Sequence, residues 1–80
     1  MSHVPHELAE EFPNHVDRMH VLKQSDPHFA RLAEQYHDIN RRIHRIETDI
    51  EPASDAYQTD LRKKRLFLKD LLVTRLSSEL

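Results

Sequence analysis

Apolar residues recur at heptad spacing through the middle of the chain. One set of these positions comprises Phe29, Tyr36, Ile43 and Ile50, and a second set, three residues after each of the first three, comprises Leu32, Ile39 and Ile46. Spacings of three and four place side chains on one side of an α-helix, in the narrow seam typical of coiled coils. Ser25 or Asp26 caps the start of this helix, Pro27 fits its first turn, and Pro52 ends it. The pattern predicts a long helix over residues 26–50.

A second long helix is predicted over residues 54–77, with Ser54 or Asp55 as its N-cap. Its main apolar stripe comprises Tyr57, Leu61, Leu68, Leu71 and Leu72, with the aliphatic stem of Lys64 among them. The connection after residue 50 is short, and two long helices joined by a short connection pack as antiparallel neighbours. The predicted fold class is therefore all-α, an antiparallel, coiled-coil-like hairpin.

The residues before the hairpin predict a shorter helix over 13–24, which makes 1–80 a single helical domain. Its apolar positions, Phe12, Val16, Met19 and Leu22, are three or four residues apart. Pro13 is compatible with the first turn of this helix. Residues 1–6 contain two histidines and a proline and are predicted to form a frayed terminus.

The second long helix carries more apolar surface than one contact can bury. At about 100° per residue, part of this surface points away from the main stripe. The residues concerned are Leu66, Phe67, Val73 and Leu76. The short first helix could cover them, or two hairpins could pair into a dimer or four-helix bundle. We expect self-association, because a lone two-helix hairpin buries little surface, and these four residues are the predicted contacts with a second copy or an unknown protein partner.

Charge divides unevenly along the chain. Residues 1–60 contain 6 basic and 12 acidic side chains, whereas residues 61–80 contain 6 basic and 2 acidic ones. The favoured interpretation is that the basic last helix attracts the acidic remainder within the fold. The alternative is binding of nucleic acid or another anion, for which the candidate residues are Arg62, Lys63, Arg65 and Lys69.

The composition argues against most catalytic and cofactor sites. The chain has no glycine and no cysteine, so glycine-rich phosphate loops and thiolate metal sites are absent. Seven histidines are present, but His37 and His44 are a full heptad apart, which is too far for one ion. We expect no enzyme activity, no cofactor and no metal. The first twenty residues contain four acidic side chains and no apolar run, and no membrane-length apolar stretch follows, so we expect a cytoplasmic protein.

Several short motifs in order resemble the YdcH-like family of small bacterial proteins. They are Phe12-Pro13, then Leu22-Lys23 before Asp26-Pro27-His28-Phe29, then the run from Arg62 to Asp70. The resemblance implies an antiparallel helical hairpin after a shorter helical segment, in the bacterial cytoplasm. The family's function is unknown, so it supplies no site residues. The His- and Glu-containing N-terminus and the turn at Pro52 depart from its pattern. The expected function is a helical protein interaction module that self-associates, with nucleic-acid binding as the alternative.

Overall fold

The computed structural model describes residues 4–48 and 51–78, and within these ranges the regular structure is helical. Its elements are α1 (Leu8–Glu11), a 3-10 turn (Pro13–His15), α2 (Val16–Ser25), α3 (Pro27–Glu47) and α4 (Asp55–Ser78). The predicted all-α class with two long helices after shorter ones is confirmed. No helix in the described ranges is both long and apolar enough to cross a membrane.

Side-chain caps fix the starts of both long helices. The Asp26 carboxylate accepts hydrogen bonds from the backbone N–H groups of His28 (3.0 Å) and Phe29 (3.2 Å), and Pro27 occupies the first helical position. At the start of α4, Ser54 Oγ accepts from the N–H of Tyr57 at 3.2 Å. These contacts satisfy backbone donors that have no partner within the helix, so Asp26 and Ser54 act as the caps.

Helix α3 ends at Glu47, followed by a turn at Thr48. The Thr48 hydroxyl donates to the carbonyl of His44 at 2.8 Å, and its N–H donates to the same carbonyl at 3.0 Å. The last two residues of the predicted helix, 49 and 50, lie outside the described residues. The apolar position at Ile50 is among them.

Contacts between α3 and α4 have the order of an antiparallel pair. Arg42 of α3 contacts Tyr57 near the start of α4, and Asn40 contacts Arg65 farther along. At the other end of the pair, Asp26 contacts Arg75. As positions in α3 decrease, the partners in α4 increase, so the hairpin is antiparallel as predicted.

Among residues 4–48 and 51–78, the buried apolar residues form two clusters of unequal size. The larger cluster joins all four helices and includes Phe29, Tyr36 and Leu72, which are almost completely buried. The smaller cluster lies toward the turn and comprises Ile43, Ile46 and Leu61, with Ile39 and Ala53 packed against it. The N-terminal residues therefore add a third layer at one end of the hairpin only.

The buried stripe of α3 is wider than the predicted heptad seam. The seam residues Phe29, Tyr36 and Ile43 are buried as predicted, but Ala33 and Asn40 are buried as well. These two residues lie beside the seam, on the side where the N-terminal layer packs. Ile39, on the other side of Tyr36, is only half-buried. Coiled-coil packing of the two long helices stays a prediction from the spacing.

The prediction of a frayed terminus over residues 1–6 is wrong for Pro5 and His6. Tyr36 Oη donates to the carbonyl of His6 at 2.6 Å, and Asn40 Nδ2 donates to the carbonyl of Pro5 at 2.9 Å. Leu8 anchors this segment in the larger core cluster. Polar donors on α3, which the apolar pattern does not reveal, hold these residues in place. Residues 1–3 lie outside the described residues.

Candidate interaction surfaces

Three of the four predicted partner-binding residues lie on the outer surface of α4. Leu66 is 60% exposed, Phe67 62% and Val73 37%. Leu76 was predicted to belong with them, and that placement is wrong, because Leu76 is only 4% exposed and packs in the larger core cluster. Leu76 lies one helical turn beyond Leu72, so it continues the buried stripe toward the N-terminal layer.

Phe67 lies beside a shallow groove between α3 and α4. We define the open face as the residues lining this groove, which are Gln35, Asp38, Ile39, Arg42, Tyr57, Leu61, Lys64, Phe67 and Leu68. The part next to Phe67 has a volume of about 330 Å³. Ile39 lies about 100° around α3 from Asn40, so the open face lies on the opposite flank of the hairpin from the N-terminal layer.

Leu66 and Val73 point in a different direction from Phe67. Consecutive residues in a helix are separated by about 100°, whereas residues seven apart nearly coincide. Leu66 and Val73 therefore share one stripe on the outer side of α4, and Phe67 lies on another. One flat partner cannot cover both stripes completely.

Most of the predicted anion-binding residues have partners within the chain. Arg62 forms an ion pair with Glu47 at 3.0 Å, and Arg65 donates to Asn40 Oδ1 at 3.0 Å. The Lys69 ammonium contacts the Glu11 carboxylate at 2.7 Å. Lys63 is exposed. These contacts place the cations in separate pairs around α4 and do not assemble them into one anion site.

The N-terminal strap, defined as residues 5–12, covers the other flank of the hairpin. Beneath it, Asn40 is 1% exposed and bridges the strap to α4: its amide nitrogen donates to the Pro5 carbonyl and its oxygen accepts from Arg65. Burial raises the pKa of Tyr36 to about 12, with a further contribution from the negative charge of Glu11. Sequence reasoning missed Asn40. Its position between the seam residues Ile39 and Ile43 gives no signal of a polar contact.

Charged pairs reinforce this covered flank. The hydrogen bond from Lys69 holds the pKa of Glu11 below its usual value, despite partial burial. The Glu7 carboxylate contacts His37 Nδ1 at 3.0 Å. At the open end of the hairpin, Asp26 contacts Arg75 at 3.0 Å, and its pKa is lowered by the hydrogen bond from Phe29 N–H and by Arg75. The pairs of α4 with Glu11, Asp26 and Glu47 agree with the predicted attraction between basic and acidic parts of the chain.

The histidines are distributed between helices. His6 Nδ1 lies 3.6 Å from Glu11, and His20 contacts Gln24 at 3.3 Å. Within residues 4–48 and 51–78, no group of three or more histidine and carboxylate side chains is placed to hold one metal ion.

A family described as "Protein of unknown function (DUF465)" matches residues 29–76, which are 48 of the 80 residues. The chain belongs to the DUF465 family. The matched range contains almost all of the α3–α4 hairpin of this DUF465 protein and begins after the strap and α2. The search of curated proteins gave no significant match, and the search of solved structures gave none either.

Proposed function

We propose that this DUF465 protein is a helical protein interaction module that self-associates through the open face of its hairpin. The observation that carries the proposal is the exposure of Phe67, a large apolar side chain in the middle of α4 and beside the groove. Burying a phenylalanine side chain contributes about 1.5–3 kcal/mol. A two-fold dimer would bury Phe67 of both copies at once, so a second hairpin is the proposed occupant of the open face.

The size of the core supports association. Among the described residues, the cluster near the turn contains three buried residues from α3 and α4 and none from the strap. Single domains of fewer than about 80 residues bury little surface and often gain stability by forming oligomers. Pairing at the open face would extend this smaller cluster across Ile39 into a four-helix bundle.

The charges around the groove also suit a second copy. The open face contains Asp38 on α3 and both Arg42 and Lys64, so its rim carries both signs. In a two-fold dimer the same patch faces itself, and a patch with both signs can pair its own anions with its own cations. Leu66 and Val73 would stay outside such a dimer and could contact a further protein.

Light scattering across a range of protein concentrations tests this proposal. We expect the wild-type mass to correspond to a dimer at high concentration, and we expect Phe67→Glu to remain a monomer with unchanged helical content. Thr59→Glu adds the same charge on an exposed part of α4 away from the open face and should leave the dimer intact. A Leu66→Glu/Val73→Glu variant should also remain dimeric.

Two outcomes would contradict the proposal. A folded wild-type monomer at every concentration would exclude self-association. A dimer lost in Leu66→Glu/Val73→Glu but kept in Phe67→Glu would place the interface on the outer stripe.

We also propose a family group and a cellular location for the protein. The motifs at Phe12-Pro13 and from Arg62 to Asp70 support the YdcH-like group as the part of the family to which the chain relates, and with it a bacterial, cytoplasmic protein. We also propose a non-enzymatic role. The support is that the charged groups Glu11, Asp26, Arg62 and Lys69 serve in pairs between elements, as structural contacts do.

A further inference from the structure

The strap is bound to the hairpin as a peptide ligand would be. Two side chains of α3 hydrogen-bond its main-chain carbonyls, Tyr36 to His6 and Asn40 to Pro5. Leu8 inserts into the core cluster. Main-chain contacts are independent of the peptide's side chains, and an inserted side chain supplies selectivity, which is how peptide-binding grooves work.

Charge complementarity adds a second level of selectivity. Glu11 contacts Lys69 at 2.7 Å, and Glu7 contacts His37 at 3.0 Å. Lys69 also lies 5.8 Å from the centre of the Phe12 ring. The two strap carboxylates thus contact a lysine and a histidine of the hairpin, and the order Glu-Leu-x-x-Glu of residues 7–11 matches these positions.

The strap does not fill its groove. A cleft of about 460 Å³ lies next to Leu8 and Ala9, and its other lining residues are Glu7, Lys23, Ala30, Ala33, Glu34 and His37. Ala9 is exposed and presents one methyl group there. A segment with a larger apolar residue at this position would bury more surface than the strap does.

The strap also adopts an unfavourable backbone conformation. His6 has φ 64°, in the left-handed region that is disfavoured for residues with a Cβ atom.

The strap lies outside the range that matches the family, whereas Tyr36, Asn40, Arg65 and Lys69 lie within it. These four groove residues are therefore within the family range, and the strap precedes it.

We propose that this groove is a binding site for an acidic peptide of a protein partner, with a Glu-Leu-x-x-Glu pattern and a larger apolar residue in place of Ala9, and that the strap occupies it until such a peptide displaces it. The site lies on the opposite flank from the open face and does not depend on self-association. In the intact chain, the tethered strap competes at a high effective concentration, so a free copy of the strap should bind weakly.

The test uses a fluorescent peptide of residues 4–12 and the full-length chain. Glu7→Lys/Glu11→Lys in the chain replaces attraction to the groove with repulsion and leaves the groove residues unchanged. We expect the peptide to bind this variant at least about tenfold more tightly than the wild-type chain, as measured by anisotropy. An Ala9→Leu peptide should bind about fivefold more tightly than the wild-type peptide, since it fills the cleft.

Two matched controls separate groove binding from general charge attraction. A Leu8→Asp peptide, which lacks the inserted side chain, should bind at least about thirtyfold more weakly than the wild-type peptide. Tyr36→Phe, added to the charge-reversed chain, should weaken the peptide about fivefold through loss of one hydrogen bond.

Three results would overturn the proposal. One is a folded charge-reversed chain that binds no peptide, or binds the wild-type and Leu8→Asp peptides equally. If the charge-reversed chain loses helical content, a chain with Leu8→Asp is used in its place. The second result is loss of helical content in both chains, because the strap would then be an obligatory part of the fold. The third is a dimer of the charge-reversed chain that the peptide dissociates, which would make the strap of a second copy the occupant. The Phe67→Glu variant tests self-association separately, because Phe67 lies on the open face and not beside the strap.

Discussion

The two flanks of the hairpin differ in what packs against them within the chain. On the covered flank, Tyr36 and Asn40 are buried and donate hydrogen bonds to the strap, and Lys69 pairs with Glu11. On the open face, Ile39 is half-buried and Phe67 is exposed beside a groove. Hydrogen bonds and an ion pair thus hold the strap on the covered flank, whereas apolar surface stays exposed on the open face.

This difference shows how one heptad seam supports two kinds of surface. Within the seam, Tyr36 donates a hydrogen bond to the strap on the covered flank, whereas Ile39 lines the open face. Ala33 and Asn40, beside the seam, give space and a hydrogen bond to a third layer, whereas Ile39, within the seam, offers apolar surface alone. A small change beside the seam can therefore redirect packing without altering the hairpin.

The largest expected contrast is between two phenylalanines. Phe29 is completely buried, so Phe29→Ala should lower the free energy of unfolding by about 3–5 kcal/mol. Phe67→Ala should change it by less than about 0.5 kcal/mol at a concentration where the protein is monomeric. Urea unfolding of both variants measures the difference, and equal losses would mean that Phe67 is part of the monomer's core.

Asn40→Ala tests the polar attachment of the strap. The substitution leaves the Pro5 carbonyl and the Arg65 guanidinium without this partner, and we expect a loss of about 1–3 kcal/mol. Gln35→Ala, on the open face, is the matched control and should have little effect. Hydrogen exchange at residues 10–12, whose N–H groups donate to strap carbonyls, should also become faster in Asn40→Ala, and unchanged exchange there would argue against a role for Asn40 in holding the strap.

Acid should weaken the covered flank at Glu11 and the open end of the hairpin at Asp26. The pKa values of Glu11 and Asp26 are lowered in the folded chain, from ordinary values of 4.5 and 3.8. A carboxylate with a lowered folded pKa stabilises the fold above its unfolded pKa, and this contribution is lost as the pH falls through the folded pKa. Glu11→Gln/Asp26→Asn should therefore make stability less dependent on pH below about 4.5. Asp60→Asn, an exposed carboxylate of α4, is the control, and an unchanged acid dependence in the double variant would contradict the assignment.

The smallest expected effect concerns two lysines of α4. Lys69→Gln removes the contact with Glu11 and should cost about 0.5–1 kcal/mol, because the pair is partly shielded from solvent. Lys63→Gln alters an exposed side chain and should be neutral within the error of thermal unfolding. A larger loss for Lys63 would indicate a contact that the monomer does not explain.

Periodicity was sufficient to predict the hairpin. The heptad spacing identified Phe29, Tyr36 and Ile43 as core residues, and the cap and proline signals placed the start of α3 within a residue. These features depend on local chemistry and on a repeat that one sequence displays directly. The antiparallel arrangement followed from the short connection.

The packing of the N-terminal residues was less accessible to sequence reasoning. The contacts of Asn40 with Pro5 and of Glu11 with Lys69 join residues 35 and 58 positions apart, and no local pattern encodes such pairs. Leu76 was misplaced for the same reason. Its burial depends on the larger cluster, which the N-terminal layer completes.

The most direct test of the open face is an NMR concentration series on protein labelled at its methyl groups and phenylalanine rings. We expect the Ile39 and Leu68 methyl signals and the Phe67 ring signals to shift as the concentration rises, while the methyl signals of Leu8 and the exposed Val21 stay constant. Val21 is a suitable reference, since it is an exposed apolar residue of α2 outside the groove. Concentration-dependent shifts at Leu8 or Val21, with Ile39 and Phe67 unchanged, would contradict self-association through the open face.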